Sequence, residues 1–248
     1  MTRVLFAGDI HGNITHAEWL FDYATLNEVD TIIACGDFGY WPHYPWGRTY
    51  LNRVSELAEQ NNITFYFVDG NHENHDLLDE LAKTHGTSQP IPVTENGFLL
   101  WIPRGCVFTL DGYKIMGYGG AYSVDWEERQ LGRTWWKQEL INDYAVMELP
   151  EQEVDILVTH EAPYGKRISY KDELPVSVNQ RILVSEIQNK VRPQFHVCGH
   201  HHVRETWIDE ITDTEIHVLG RDEMEAESVL LLDLAPFEVE IELEDVAS

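Results

Sequence analysis

Cysteine, basic side chains and long apolar runs are all scarce in this chain of 248 residues. The 3 cysteines, Cys35, Cys106 and Cys198, are scattered without CxxC spacing, which excludes a disulfide framework and a thiolate zinc site and leaves reduced, buried thiols as the expectation. Lys and Arg number 17 against 43 Asp and Glu, a formal net charge of −26. Such a surface repels phosphate polyanions, so stable nucleic-acid binding is not expected. It still admits a small anionic substrate where bound divalent cations form a local positive centre. No stretch approaches the ~20 apolar residues of a membrane span. The opening MTRVLFAGD has no signal-peptide core, and the chain therefore reads as soluble and cytoplasmic, without a membrane partner.

Hydrophobic patterning predicts alternating strands and helices. Strands are expected at residues 3–7, 30–34 and 64–68, with helices at 15–26, 49–61 and 73–84 between and after them. This βαβαβα order implies an α/β fold with a largely parallel sheet covered by helices. From residue 98 the segments FLLWI, CVFTL and YKIMGYGG suggest a hairpin or meander. Helices near 134–146 and 177–189 flank a strand at 154–158, and residues 195–242 look mostly strand-like, with LEDVAS as a frayed end. No repeat, linker or low-complexity segment divides the chain, so residues 1–248 read as a single domain.

Chemistry concentrates just past the buried strands. Strand 3–7 leads into GDIHGN, 30–34 into CGDFG, 64–68 into DGNHEN, 154–158 into THEAP and 195–198 into GHHH. Open α/β sheets place their sites at the carboxyl ends of such strands. Asp9, His11, Asp37, Asn71, His160, His200 and His202 form a mixed carboxylate, amide and imidazole set without thiolates. It suits Mn²⁺, Fe or Zn²⁺, and seven donors exceed one tetrahedral ion and suit two sharing a bridge. In an extended CGHHHVRE segment His200 and His202 would share a face and His201 would point away.

In that order, GDIHGN, GDFG, GNHE, THEAP and GHHH resemble the motif blocks of the calcineurin-like metallophosphoesterases, from residue 7 to residue 202. The resemblance implies a four-layer α/β/β/α metallophosphoesterase sandwich and a dinuclear site. It assigns Asp9, His11 and His202 to the first metal ion, Asn71, His160 and His200 to the second, and Asp37 to the bridge. Two divalent metal ions, Mn²⁺ first and Fe or Zn²⁺ as alternatives, would hold a bridging hydroxide that attacks a phosphate ester. His72 matches the family histidine that contacts the phosphate and protonates the leaving group, which makes it, with Asp37, a catalytic residue.

One departure bears on the substrate. The family's Ser/Thr protein phosphatases carry arginines in a GDxVDRG block and before GNHE, whereas this chain reads GDFGYWP and VDGNHE, with Asp69 at the second place. Without that bidentate clamp a phosphodiester or small, cyclic nucleotide is favoured over a phosphoprotein. A phosphomonoesterase or Ser/Thr protein phosphatase with another anion grip, a nuclease and a non-catalytic metal-binding scaffold are the alternatives. Arg104, Arg129 and Arg133 are the nearest basic candidates. Tyr40, Trp41, Tyr44 and Trp46, with Tyr122, Trp126, Trp135 and Trp136, either pack the loop cores or stack on a nucleobase. The partner implied is a small-molecule phosphate ester or nucleotide.

Overall fold

Strand β1 (Thr2–Ala7) shows why the chain builds layers. Val4 and Phe6 are buried in one apolar cluster, and Leu5 and Ala7, on the alternate face, in another. A strand buried on both faces needs cover on both sides. The structure is a computed structural model and describes residues 2–169 and 174–234.

Helix α1 (Ile14–Leu26), β2 (Thr31–Ala34), α2 (Pro45–Asn61), β3 (Thr64–Phe67) and α3 (His75–His85) follow β1. Next come β4 (Ile91–Pro92), β5 (Leu99–Trp101), β6 (Val107–Leu110), β7 (Tyr113–Tyr118), α4 (Asp143–Glu148) and β8 (Ile156–Thr159). Helix α5 (Pro175–Val191), β9 (Phe195–Cys198), β10 (Glu205–Asp209), β11 (Thr214–Val218) and β12 (Val229–Leu234) complete the described fold. One six-stranded sheet runs β12-β1-β2-β3-β5-β4, the other β10-β11-β9-β8-β7-β6. Strands β1, β2, β3 and β5 are mutually parallel, as are β7, β8, β9 and β11, with antiparallel strands at the edges.

Phe6 and Ile33 of the first sheet, with Val68 just past β3, meet Ile115, Val158 and Val197 of the second in a shared core. On the outer side, α1, α2 and α3 lay Leu20, Phe21, Val54 and Leu78 against Leu5, Ile32 and Phe65. Helices α4 and α5 lay Val146, Val184 and Ile187 against Met116 and Leu157. Each such side chain contributes about 1.5–3 kcal/mol by leaving water. The result is the expected α/β/β/α sandwich, and it aims the carboxyl ends of two parallel strand sets toward one crevice. Cys35, Cys106 and Cys198 are free and buried. Among the described residues no helix is long and apolar enough to cross a membrane.

Several boundaries differ from the sequence expectation. Helix α2 starts at Pro45 rather than residue 49, because Pro at the first turn presets a helical φ. Helix α3 starts at His75, where the Asn74 side chain caps Leu77 N–H. The expected helix at 134–146 is a 3-10 turn (Lys137–Glu139) followed by the short α4. Trp136 Nε1 bonds Asp76 and the Glu139 carboxylate bonds Ser123, so both side chains are drawn inward at the place where a helix would start. The FLLWI segment supplies β5 to the first sheet, and the hairpin is β6–β7 in the second. The strand-like tail holds to Leu234, and its continuation to residue 242 and the LEDVAS end lie outside the described residues.

Candidate metal centre

Five loops converge as their positions predict, from β1, β2, β3, β8 and β9. Asp37 sits at the middle: its Oδ2 lies 3.4 Å from His160 Nε2, 3.6 Å from His11 Nε2 and 3.9 Å from His72 Nε2. Its Oδ1 accepts the His72 backbone N–H at 2.8 Å. Asp9 Oδ2 lies 3.0 Å from His202 Nε2 and 3.9 Å from His11 Nε2. Asn71 Oδ1 is 3.0 Å from His160 Nε2. His200 joins through its backbone N–H, which donates to Asp9 Oδ1 at 2.9 Å; its ring is 4.9 Å from that of His160, and its Nε2 is 3.6 Å from Glu161 Oε2.

The backbone bends sharply to achieve this. His11, Asp37, His200 and His202 all have left-handed φ, at 53°, 45°, 65° and 56°. Such positions cost roughly 1–3 kcal/mol each and cluster where a site demands them. Within CGHHHVRE the stretch between the end of β9 and the start of β10 is therefore a turn rather than an extended run, and face alternation does not apply to it. His201 is accordingly not an outward-facing bystander: it is buried, with Nε2 2.8 Å from Glu161 Oε1 and Nδ1 2.9 Å from Ser169 Oγ. Gly36 has φ 92°, and a Cβ there would run into the His160 ring. Gly70 leaves room for Asp37 in the same way.

Neighbouring residues fix which atom each ligand candidate presents. His160 Nδ1 donates to Cys35 O at 2.7 Å, which leaves Nε2 facing Asp37 and Asn71. His11 Nδ1 faces Asp222 Oδ1 at 3.2 Å, and Asp222 is held by Asn13 Nδ2 at 2.9 Å. Asn71 Nδ2 donates to Ser123 Oγ, which donates in turn to buried Glu139, so the amide oxygen of Asn71 is turned toward His160. Glu73, also buried, accepts from Gly39 N–H and Gly70 N–H and ties the Asp37 loop to the Asn71 loop. Asp222, Ser123 and Glu139 lie outside the motif blocks, and no local sequence pattern marks them.

The charges favour a cation. Burial opposes ionisation of Asp37, yet His160, His72 and His11 hold it well below the usual carboxylate range. Asp9 is likewise lowered against burial, by His202 and His160. Burial also opposes charge on His160 and His11, but the Asp37 and Asp9 carboxylates push them up to about 10 and about 9. Two buried anions thus draw protons onto their neighbours, and divalent cations take the place of such protons. Donor atoms of Asp9, His11 and His202 lie within 4.8 Å of one another, as do those of Asp9, Asp37 and His160. The residues present therefore fit a metal centre of oxygen and imidazole donors.

The basic candidates separate. Arg129 Nη2 lies 2.6 Å from His72 Nε2 and 2.7 Å from Asp125 Oδ1, at the edge of the centre. Arg104 is turned away onto Asp69 through Nε and Nη2, and Arg133 Nε donates to Tyr44 Oη at 3.3 Å. Burial and the Arg129 charge lower the His72 pKa, against Asp37.

The sequence pattern of calcineurin-like phosphoesterases matches residues 2–204. No curated protein matches the chain. Among solved structures, the chain is similar to a dimetal phosphatase from Danio rerio, with 13% identity over 89% of this chain and 87% of that one and a TM-score of 0.52. It is similar also to TT1561 of Thermus thermophilus, with 12% identity over 94% of this chain and 98% of that one and a TM-score of 0.53. At these identities the likeness is one of fold.

Proposed function

The chain belongs to the calcineurin-like phosphoesterase family, and from that premise we propose that it hydrolyses a small-molecule phosphodiester, of the cyclic-nucleotide class, at a centre for two divalent cations. The observation that carries the reading is the position of Asp37 Oδ2, within 3.4–3.9 Å of His160, His11 and His72. Asp9, His11 and His202 would hold one ion, Asn71, His160 and His200 the other, and Asp37 both. The donor set suits Mn²⁺, which we propose, with Fe and Zn²⁺ as alternatives. When bound, such ions bring water into the range of a nucleophile at neutral pH and offset charge on the phosphoryl oxygens.

The chain's own residues supply the rest. Arg129 donates to His72 Nε2, so the imidazole proton resides on Nδ1 in this arrangement. A phosphate anion is a stronger partner for a guanidinium than a neutral ring nitrogen. Its arrival draws Arg129 off His72 and frees the Nε2 lone pair to take up a proton from solvent, and the imidazolium so formed can pass that proton to the leaving oxygen. The diester preference rests on charge: Arg104 is committed to Asp69, and Arg129 shares its charge with Asp125, so among the described residues these two do not form a free pair of guanidinium forks for a dianion. A monoester reading draws its support from Arg129 alone.

Initial rates with Mn²⁺ on bis(p-nitrophenyl) phosphate and p-nitrophenyl phosphate test the preference. The diester is expected to have the higher kcat/KM. Turnover confined to the monoester would place Arg129 as a dianion clamp and overturn the diester assignment.

A further inference from the structure

The aromatic residues after Asp37 fall into two groups. Tyr40 and Trp41 are only 6% and 9% exposed and serve the loop core. Trp46 is 52% exposed and Tyr44 is half-buried, so both keep ring surface open to solvent. They lie nearly parallel, with 13° between planes and centroids 5.8 Å apart, and Trp41 closes the group at 6.0 Å from Tyr44 and 6.2 Å from Trp46. Arg133 Nε, donating to Tyr44 Oη, holds one ring in place from the rim.

These three rings, with Thr134, His11 and His72, line a cavity of about 240 Å³. His11 and His72 belong to the centre described above, so the cavity is continuous with it. An ester whose phosphate stood beside His72 would have one of its organic groups next to these rings. Cavities for drug-sized ligands run to roughly 300–1,000 Å³. A space of about 240 Å³ has room for one ring system, and the net charge of −26 disfavours a polymer. The Thr134 hydroxyl accepts from Gln130 N–H at 2.9 Å and keeps its own hydrogen to donate to a ligand edge. Apolar faces with one polar edge suit a heteroaromatic ring better than an alkyl chain.

We infer that this cavity seats a flat heteroaromatic group of the substrate, a nucleobase, against Tyr44 and Trp46. The inference rests on the phosphoesterase reading and narrows its substrate class. Trp46→Ala is the informative variant, since the side chain is exposed and its loss leaves the core intact. The measured quantity is the ratio of kcat/KM for adenosine 2′,3′-cyclic phosphate to that for glycerol 1,2-cyclic phosphate. Both are five-membered cyclic diesters, and the glycerol ester lacks the base together with the furanose ring that carries it. The ratio is expected to fall about tenfold in the variant, mainly through KM, as loss of one base–aromatic stack implies. An unchanged ratio overturns the inference even if both esters are hydrolysed.

A second measurement is independent of turnover. Adenosine titrated into the Mn²⁺-loaded protein is expected to quench tryptophan fluorescence saturably, with the midpoint about tenfold higher in Tyr44→Ala. Tyr44 precedes α2 without making a side-chain cap, so this substitution spares the helix. Saturable quenching with no hydrolysis of any ester would retain the ring site and remove the phosphoesterase reading. Absence of saturable quenching would remove the ring site alone.

Discussion

Asp37→Asn protein is expected to fold and to lose hydrolysis by on the order of 10³-fold, the scale of removing a principal electrostatic contact from a reaction centre. The choice of Asn matters. Asp37 has φ 45°, and Asn is among the few side chains that accept this conformation readily. An amide oxygen can still accept the His72 N–H, now held at 2.8 Å by Oδ1. The charge between His160, His11 and His72 is lost, and with it the group proposed to hold both cations. Far-UV circular dichroism should match the wild type while steady-state hydrolysis falls to near background. Retention of more than a tenth of the wild-type rate would remove Asp37 from the centre.

Arg104→Met is expected to lower stability by roughly 3–5 kcal/mol, because it leaves a buried carboxylate without its cation. Asp69 is 1% exposed, and Arg104 Nε and Nη2 reach its Oδ2 at 2.9 and 2.7 Å. Burial opposes its ionisation, and Arg104 is the first of the groups that hold its pKa below the usual range. Arg104 Nη1 also donates to Leu140 O at 2.9 Å, so the chain leading into α4 loosens with it. For a chain of this size the melting temperature should drop on the order of 10 °C. Asp69→Leu combined with Arg104→Met should recover part of the loss, since the pair is removed together. Thermal unfolding of the three proteins checks this. Equal melting temperatures for wild type and Arg104→Met would show the pair to be solvated.

The same residue illustrates what could be seen in advance. Arg104 is one of the nearest basic candidates in the chain, but the buried Asp69 that it meets in the fold claims it. The loops bearing Asp9, Asp37, Asn71, His160 and His200 were legible because each follows a run of buried strand residues and a tight turn, features with short sequence range. Asp222, which orients His11, stands 211 positions away and carries no local signal. Glu139 was hidden in a stretch whose polar–apolar spacing resembles a helix, although its carboxylate turns inward to Ser123. His201 departs from the expected outward position because side-chain alternation presumes an extended backbone, and left-handed turns on both sides of it cancel that rule. The division between buried Trp41 and exposed Trp46 depended on where α2 begins, in a stretch that contains both Pro45 and Gly47.

Activity of chelated protein titrated with Mn²⁺ is the measurement that meets the central claim most directly. Chelated protein is predicted to leave bis(p-nitrophenyl) phosphate intact. Added Mn²⁺ should restore hydrolysis up to two equivalents per chain and no further. Hydrolysis that survives chelation, or a titration that ends at one equivalent, would contradict a centre in which Asp37 serves two cations.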